Sequence, residues 1–149
     1  MKIVPNPRRS ADGYVDPRRP EVAIPFMPLE VGDINDEDLM LMFNTFTAWA
    51  EFLSVETAKA VAVEEALEDQ LEEAKALAIL EGTLGLNKDR ATGVINTRGL
   101  RQQYRTARNV RKLLEAKASN CVRNAAALSR ELTRRTEIAQ GQRGRRYGA

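Results

Sequence analysis

The sequence predicts an all-α protein, a long, coiled-coil-like antiparallel helical hairpin, and three observations support this. Neither residues 33–81 nor residues 100–140 contain a glycine or a proline. All six prolines lie within the first 32 residues. Aromatic residues make up only 5% of the chain and charged residues 30%, which is more typical of helical bundles than of sheet proteins.

Residues 1–32 are expected to form an extended arm, because proline fixes φ and biases the residue before it away from the helical region. An apolar patch, residues 22–29, lies late in this arm. Two interpretations stay open. The arm is a disordered tail, or it docks on the helices of its own or a neighbouring subunit.

The hairpin is predicted over residues 33–140, and its first helix over 36–81. Asn35 or Asp36 can cap the free amides at its start, and the acids that follow suit the positive end of the helix dipole. At about 1.5 Å per residue, this helix is roughly 70 Å long. Apolar side chains recur at steps of three and four and are bulkiest between Leu39 and Leu53, so the thickest packing is expected there.

A loop is predicted at 82–97, where three glycines, two asparagines and an aspartate can supply turns. The second helix is predicted at 98–139, with Gly141 as its stop signal and a basic, flexible tail at 141–149.

Charge is strongly segregated behind the net value of +2. Residues 36–82 carry two basic and twelve acidic groups, whereas residues 83–149 carry sixteen basic and four acidic ones. In an antiparallel hairpin, residues 64–73 would face residues 107–116, and residues 36–38 would lie near Arg134 and Arg135. These pairs are expected to set register more than stability.

Self-association is expected, because a single hairpin buries only a narrow seam. The predicted oligomer interface is the apolar first half of the first helix, represented by Leu39, Phe43, Phe46, Trp49 and Leu53.

Basic residues of the second helix are candidates for binding single-stranded DNA. Arg101, Arg105, Arg108 and Lys112 share one helical face, and either follow a phosphate backbone or are neutralised by the acidic helix. The stronger candidates lie at the end of the hairpin, where fewer acids are expected: Arg130, Arg134, Arg135, Arg143, Arg145 and Arg146. Arg8, Arg9, Arg18 and Arg19 of the arm are further candidates.

Nothing in the sequence predicts catalysis, a metal site or a cofactor. The chain contains no histidine, which removes the usual general base and the commonest metal ligand. Its single cysteine, Cys121, lies in the apolar seam and is expected to be a buried small residue. Neither a membrane span nor a signal peptide is predicted.

The order of these features resembles small helical phage proteins, especially those of actinobacteriophages. The resemblance rests on DEDLMLMF at 36–43, TAW at 47–49, the acidic helix, residues 107–116, and ALSRELTRR at 127–135. The layout of residues 36–135 is also similar to the UvsY-type recombination mediators of T4-like phages. That resemblance implies a helical, oligomeric protein that binds single-stranded DNA and helps to load a recombinase.

The leading hypothesis is therefore a non-enzymatic phage accessory protein, a DNA-binding mediator of recombination or replication in the host cytoplasm. Its expected partners are further copies of itself, single-stranded DNA and a recombinase. The alternative is a structural or interaction protein, such as a virion, scaffolding or host-directed component, that assembles through its helices and its N-terminal arm.

Overall fold

The computed structural model describes residues 15–84 and 88–147, with side chains at 15–80 and 97–142. A short 3₁₀ turn, Val31–Asp33, precedes two long helices, α1 (Asp36–Leu84) and α2 (Lys88–Tyr147). No strand is formed within these ranges. The two helices pack against each other as a hairpin, which confirms the predicted all-α class.

Asn35 caps the start of α1. Its Oδ1 accepts the backbone N–H of Asp38 at 2.8 Å, and its Nδ2 donates to the carboxylate of Asp38 at 2.7 Å. The carbonyl of Asn35 accepts the first helical hydrogen bond, from the N–H of Leu39 at 3.0 Å. The side chain thus satisfies an amide that the helix itself leaves without a partner, so α1 begins where the sequence predicted.

The other helix ends differ from the predicted bounds. The loop was predicted at 82–97, but α1 continues to Leu84 and α2 already begins at Lys88. The tail was predicted from residue 141, but α2 continues to Tyr147. A glycine inside a helix costs only about 1 kcal/mol relative to alanine. With no proline after residue 28, no residue in these stretches blocks the helix sterically.

The chain divides into two compact units. Unit 1 contains residues 1–55 and 117–149, and unit 2 contains residues 56–116. Each unit therefore pairs a stretch of α1 with a stretch of α2.

Unit 1 holds most of the large buried side chains. Its apolar core consists of Leu39, Phe46, Trp49, Leu53, Cys121 and Leu128. Trp49 also binds the segment before α1, since its Nε1–H donates to the carbonyl of Val22 at 2.8 Å. The guanidinium of Arg19 lies 5.7 Å from the centre of the indole, within the range of a cation–π contact. Part of the N-terminal segment therefore covers the most aromatic stretch of α1.

Unit 2 has a much thinner core. Among its described side chains, at 56–80 and 97–116, Leu71 is the buried apolar one, and the polar residues Glu64 and Thr97 are buried as well. This contrast confirms that packing is thickest in the first half of α1, as the distribution of bulky residues predicted.

Contacts in each unit fix the antiparallel register. In unit 2, Arg111 of α2 bonds to Glu64 of α1. In unit 1, Arg135 of α2 bonds to Asp36 at the start of α1, with a 2.6 Å distance between Nη1 and Oδ1. Both pairs follow the predicted meeting of the acidic helix with the basic one.

Replacing Phe46 by alanine should lower the free energy of unfolding by about 3–5 kcal/mol, because the side chain is fully buried and its removal leaves a cavity. Urea denaturation followed by circular dichroism measures this. Phe26, which is 89% exposed, is the matched control, and Phe26→Ala should change stability by less than about 0.5 kcal/mol. Equal effects of the two substitutions would contradict the assigned core.

Candidate nucleic-acid interface

Arg134 and Arg135, two of the predicted DNA contacts, share the carboxylate of Glu131. Arg134 donates to it through Nε at 2.8 Å and Nη2 at 2.7 Å. Arg135 donates through Nε, also at 2.8 Å. The spacings of three and four residues place these groups on one helical face. Contrary to the expectation of few acids near this end, both arginines have an acidic partner.

Arg135 uses its remaining donors to hold the segment before α1. Nη1 donates to the carbonyl of Ile34 at 2.7 Å and to Asp36 at 2.6 Å. Nη2 donates to the carbonyls of Val31 at 3.2 Å and Gly32 at 3.0 Å. A guanidinium has five N–H donors, and each of these has an acceptor here. Arg135 therefore fastens the 3₁₀ turn to α2, and none of its donors is left over for a phosphate.

The ion pairs of this cluster shift its titration. The hydrogen bonds from Arg134 and Arg135 lower the pKa of Glu131 from 4.5 to about 2. The same bonds raise the pKa of Arg134, and those to Asp36 and Glu131 raise the pKa of Arg135. All three groups therefore remain charged at neutral pH.

The other candidates at this end differ in their surroundings. Arg130 is exposed, and its Nε donates only to the carbonyl of Ala126, at 3.3 Å, within its own helix. The side chains of Arg143, Arg145 and Arg146 lie outside the described residues, although α2 runs through all three positions. In the arm, Arg19 contacts Trp49 and Arg18 is exposed, whereas Arg8 and Arg9 lie outside the described residues.

Unit 2 presents a second group of cations, which we call the basic row: Arg98, Arg101, Arg105 and Lys112 of α2. All four are exposed, and none makes a hydrogen bond or ion pair with a residue that the structure describes. Their spacings of three, four and seven residues place them on one face of the helix. An exposed row of guanidinium and ammonium groups can bind the phosphates of a polyanion.

Arg108 and Arg111 have a different role from the basic row, since both face Glu64. Arg111 bonds to Glu64 and also donates to Glu115, with a 2.6 Å distance between Nη1 and Oε1. Arg108 lies farther away, with its Nε 3.9 Å from Glu64. The hydrogen bond with Glu64 contributes most to the raised pKa of Arg111. The predicted row of Arg101, Arg105, Arg108 and Lys112 is thus only partly neutralised.

Tyr104, an aromatic side chain of the type on which a base could stack, is half-buried beside the basic row. Tyr147 lies where the side chains are not described. Among the described side chains of unit 2 there is therefore no exposed aromatic ring on which a base could stack.

The predicted oligomer interface lies largely inside the chain. Leu39, Phe46, Trp49 and Leu53 are buried in unit 1, and Phe43 is half-buried. The expectation rested on there being more apolar surface than one partner helix covers. The N-terminal segment supplies part of that missing cover, through the contacts of Val22 and Arg19 with Trp49.

Neither a metal site nor a reactive thiol is evident within the described residues. No group of three or more acidic or cysteine side chains there could hold a metal ion. Cys121 is buried, and burial raises the pKa of its thiol, which disfavours the nucleophilic thiolate. Among the helices that could be searched, none has the length and apolar character to cross a membrane.

Comparison of the chain with protein-family models, with curated proteins and with solved structures found no match.

Sequence reasoning missed the role of Glu131. The signal was present, because Glu131 precedes Arg134 and Arg135 by three and four residues, the spacings at which helical side chains meet. No comparable pattern in the sequence predicts the hydrogen bonds from Arg135 to three backbone carbonyls. They depend on where the turn before α1 lies, which residue type does not reveal.

Acid should weaken the cluster around Glu131. A carboxylate whose pKa is lowered by folding stabilises the folded state above its unfolded pKa, near 4.5, and this contribution is lost as the pH falls towards about 2. We therefore expect Glu131→Gln to lose less stability between pH 5 and pH 2 than the unmodified protein does. Denaturation midpoints across this range measure the difference, with the exposed Glu137→Gln as control. Identical pH profiles for the unmodified protein and Glu131→Gln would contradict the assignment.

Proposed function

We propose that this protein is a non-enzymatic accessory factor that binds single-stranded DNA through the basic row on α2. The observation that supports the proposal best is the exposure of Arg98, Arg101, Arg105 and Lys112 without a described partner. The sequence resemblance to phage recombination mediators agrees with it. On that resemblance, the DNA-bound protein would assist a recombinase in the cytoplasm of a phage-infected host.

The spacing of the basic row suits a flexible strand. At 1.5 Å per residue, neighbouring members from Arg98 to Lys112 lie roughly 5–10 Å apart along the helix axis. A single strand can adjust its backbone to bring phosphates to these positions without any reading of bases. Binding of this kind is expected to depend on charge and to be largely independent of sequence.

The acidic residues of α1 limit the strength of this binding. Glu65, Glu68 and Glu72 are exposed on the other helix of the same unit. Exposed charges within about 10 Å of one another interact at moderate ionic strength, so these acids reduce the attraction for phosphate. Unit 2 alone should therefore bind DNA modestly and release it readily as salt is added. Arg130 and the arginines near the end of α2 are further contact candidates, whereas Arg135 is assigned to folding.

A second candidate function, that of a structural or interaction protein, is supported by a different observation. Several large apolar side chains of unit 2 are exposed, among them Val63 and Leu77 on α1 and Val110 and Leu113 on α2. Apolar groups clustered on a surface commonly mark a contact with another protein. A structural or interaction protein that acts through apolar contacts would not need the basic row. Substitution of that row therefore distinguishes this function from DNA binding.

Replacing Arg101, Arg105 and Lys112 together by alanine should weaken binding to an oligothymidylate and flatten its dependence on salt. For single strands, each lost phosphate contact lowers the slope of log affinity against log salt by about 0.7, so three lost contacts should lower it by about 2. Fluorescence anisotropy of a labelled oligonucleotide at several salt concentrations provides the measurement.

The control variant replaces Lys59 and Lys75 by alanine. Both lysines lie on the acidic helix of the same unit. This variant should keep the slope of the unmodified protein. Absence of binding even at low salt, or equal slopes for the triple variant and the unmodified protein, would contradict the proposal. Intact binding by the triple variant with loss in Arg130→Ala would move the contact to the other unit.

A further inference from the structure

One side of unit 2 carries a groove whose lining is uncharged. The groove has a volume of about 480 Å³ and runs between α1 and α2. Its lining contains no acidic or basic side chain: Ala60, Val63, Leu67, Gln102, Gln103, Thr106, Ala107 and Val110. We call this surface the uncharged face. The basic row lies on a different face of α2, as the helical spacing requires.

The uncharged face continues beyond the groove in one direction on each helix, whereas the paired Glu56 and Lys59, seven and four residues before Val63, border its other end on α1. Gln70 and Leu77 follow Val63 at steps of seven residues on α1, and Leu113 follows Val110 by three on α2. Val63 and Leu77 are each 54% exposed, and Leu113 is 56% exposed. Among the described residues of this unit, Leu71 is the only large apolar side chain that is buried. Two helices with so thin a core leave apolar surface that a further layer of helix would bury.

The lack of charge restricts what can cover this face. A partner with an acidic or basic surface would have to bury its charges without a counter-charge, at a large cost in desolvation. The other described faces of unit 2 are charged, since α1 exposes Glu65, Glu68 and Glu72 and α2 exposes the basic row. The uncharged face of a second copy meets the requirement, because it brings apolar side chains and neutral amides only.

The shape of the face also suits a second copy. Ala60 and Ala107 line the groove with small side chains, which allow another helix to approach closely. Gln102 and Gln103 carry both donors and acceptors, so they can pair across a two-fold axis with the same residues of a partner. We propose that two copies associate through their uncharged faces, so that four helices enclose Val63, Leu67 and Val110. This interface goes beyond the DNA-binding proposal and does not depend on it.

Sedimentation equilibrium of the full chain over a concentration series tests the interface. The unmodified protein should be a dimer that dissociates on dilution. Val110→Glu should raise the dissociation constant about a hundredfold, because each copy would then bury a carboxylate without a partner. Val110 is already 48% exposed, so the variant should keep its helical circular dichroism. Ile138→Glu is the control, since Ile138 lies on the same helix and is 47% exposed but is outside unit 2.

A monomer at every concentration would overturn the inference, as would equal dimerisation by Val110→Glu and the unmodified protein. Loss of the dimer in Phe26→Ser with retention in Val110→Glu would assign the contact to the exposed N-terminal segment and also overturn it. None of these results changes the salt dependence of DNA binding, so a failure here is distinguishable from a failure of the proposed function.

Discussion

The structure depends on arginine side chains that tie α2 to the acidic segments facing it. In unit 2, Arg111 bonds to Glu64, which is buried between the helices. In unit 1, Arg135 bonds to Asp36 and to three carbonyls of the segment before α1. A partly buried ion pair adds little net stability, but breaking it leaves a charge without a partner. Sliding one helix along the other would break such pairs, and the register is fixed for that reason.

The arginines and lysines of α2 consequently fall into two groups. Arg111, Arg134 and Arg135 bond to acids of the same chain, and Arg111 and Arg135 thereby join α2 to α1. Arg101, Arg105 and Lys112 are exposed without described partners, and the proposed function rests on them. Net charge cannot separate the two groups, since both contribute equally to it. The hydrogen bonds of these side chains do separate the two groups, and they shift the candidate contact from the end of the hairpin to the first half of α2.

Local signals in the sequence predicted part of this arrangement. The cap at Asn35, the antiparallel meeting of Glu64 with Arg111, and the thick packing around Phe46 all follow from residue type and helical spacing. The helix ends did not follow, because Gly82 and Gly93 indicate turns and Gly141 indicates a stop, although the helices continue through all three. The cover on Trp49 comes from Val22 and Arg19, far away in sequence, and no local pattern encodes such a contact.

The division of arginines can be tested directly by NMR of their Nε–Hε groups during titration with an oligothymidylate. The signals of Arg101 and Arg105 should shift as DNA is added. The signals of Arg111 and Arg135 should stay in place, because their donors remain bound to acceptors within the chain. Shifts at Arg111 and Arg135 with none at Arg101 and Arg105 would show that the two groups of arginines are wrongly assigned.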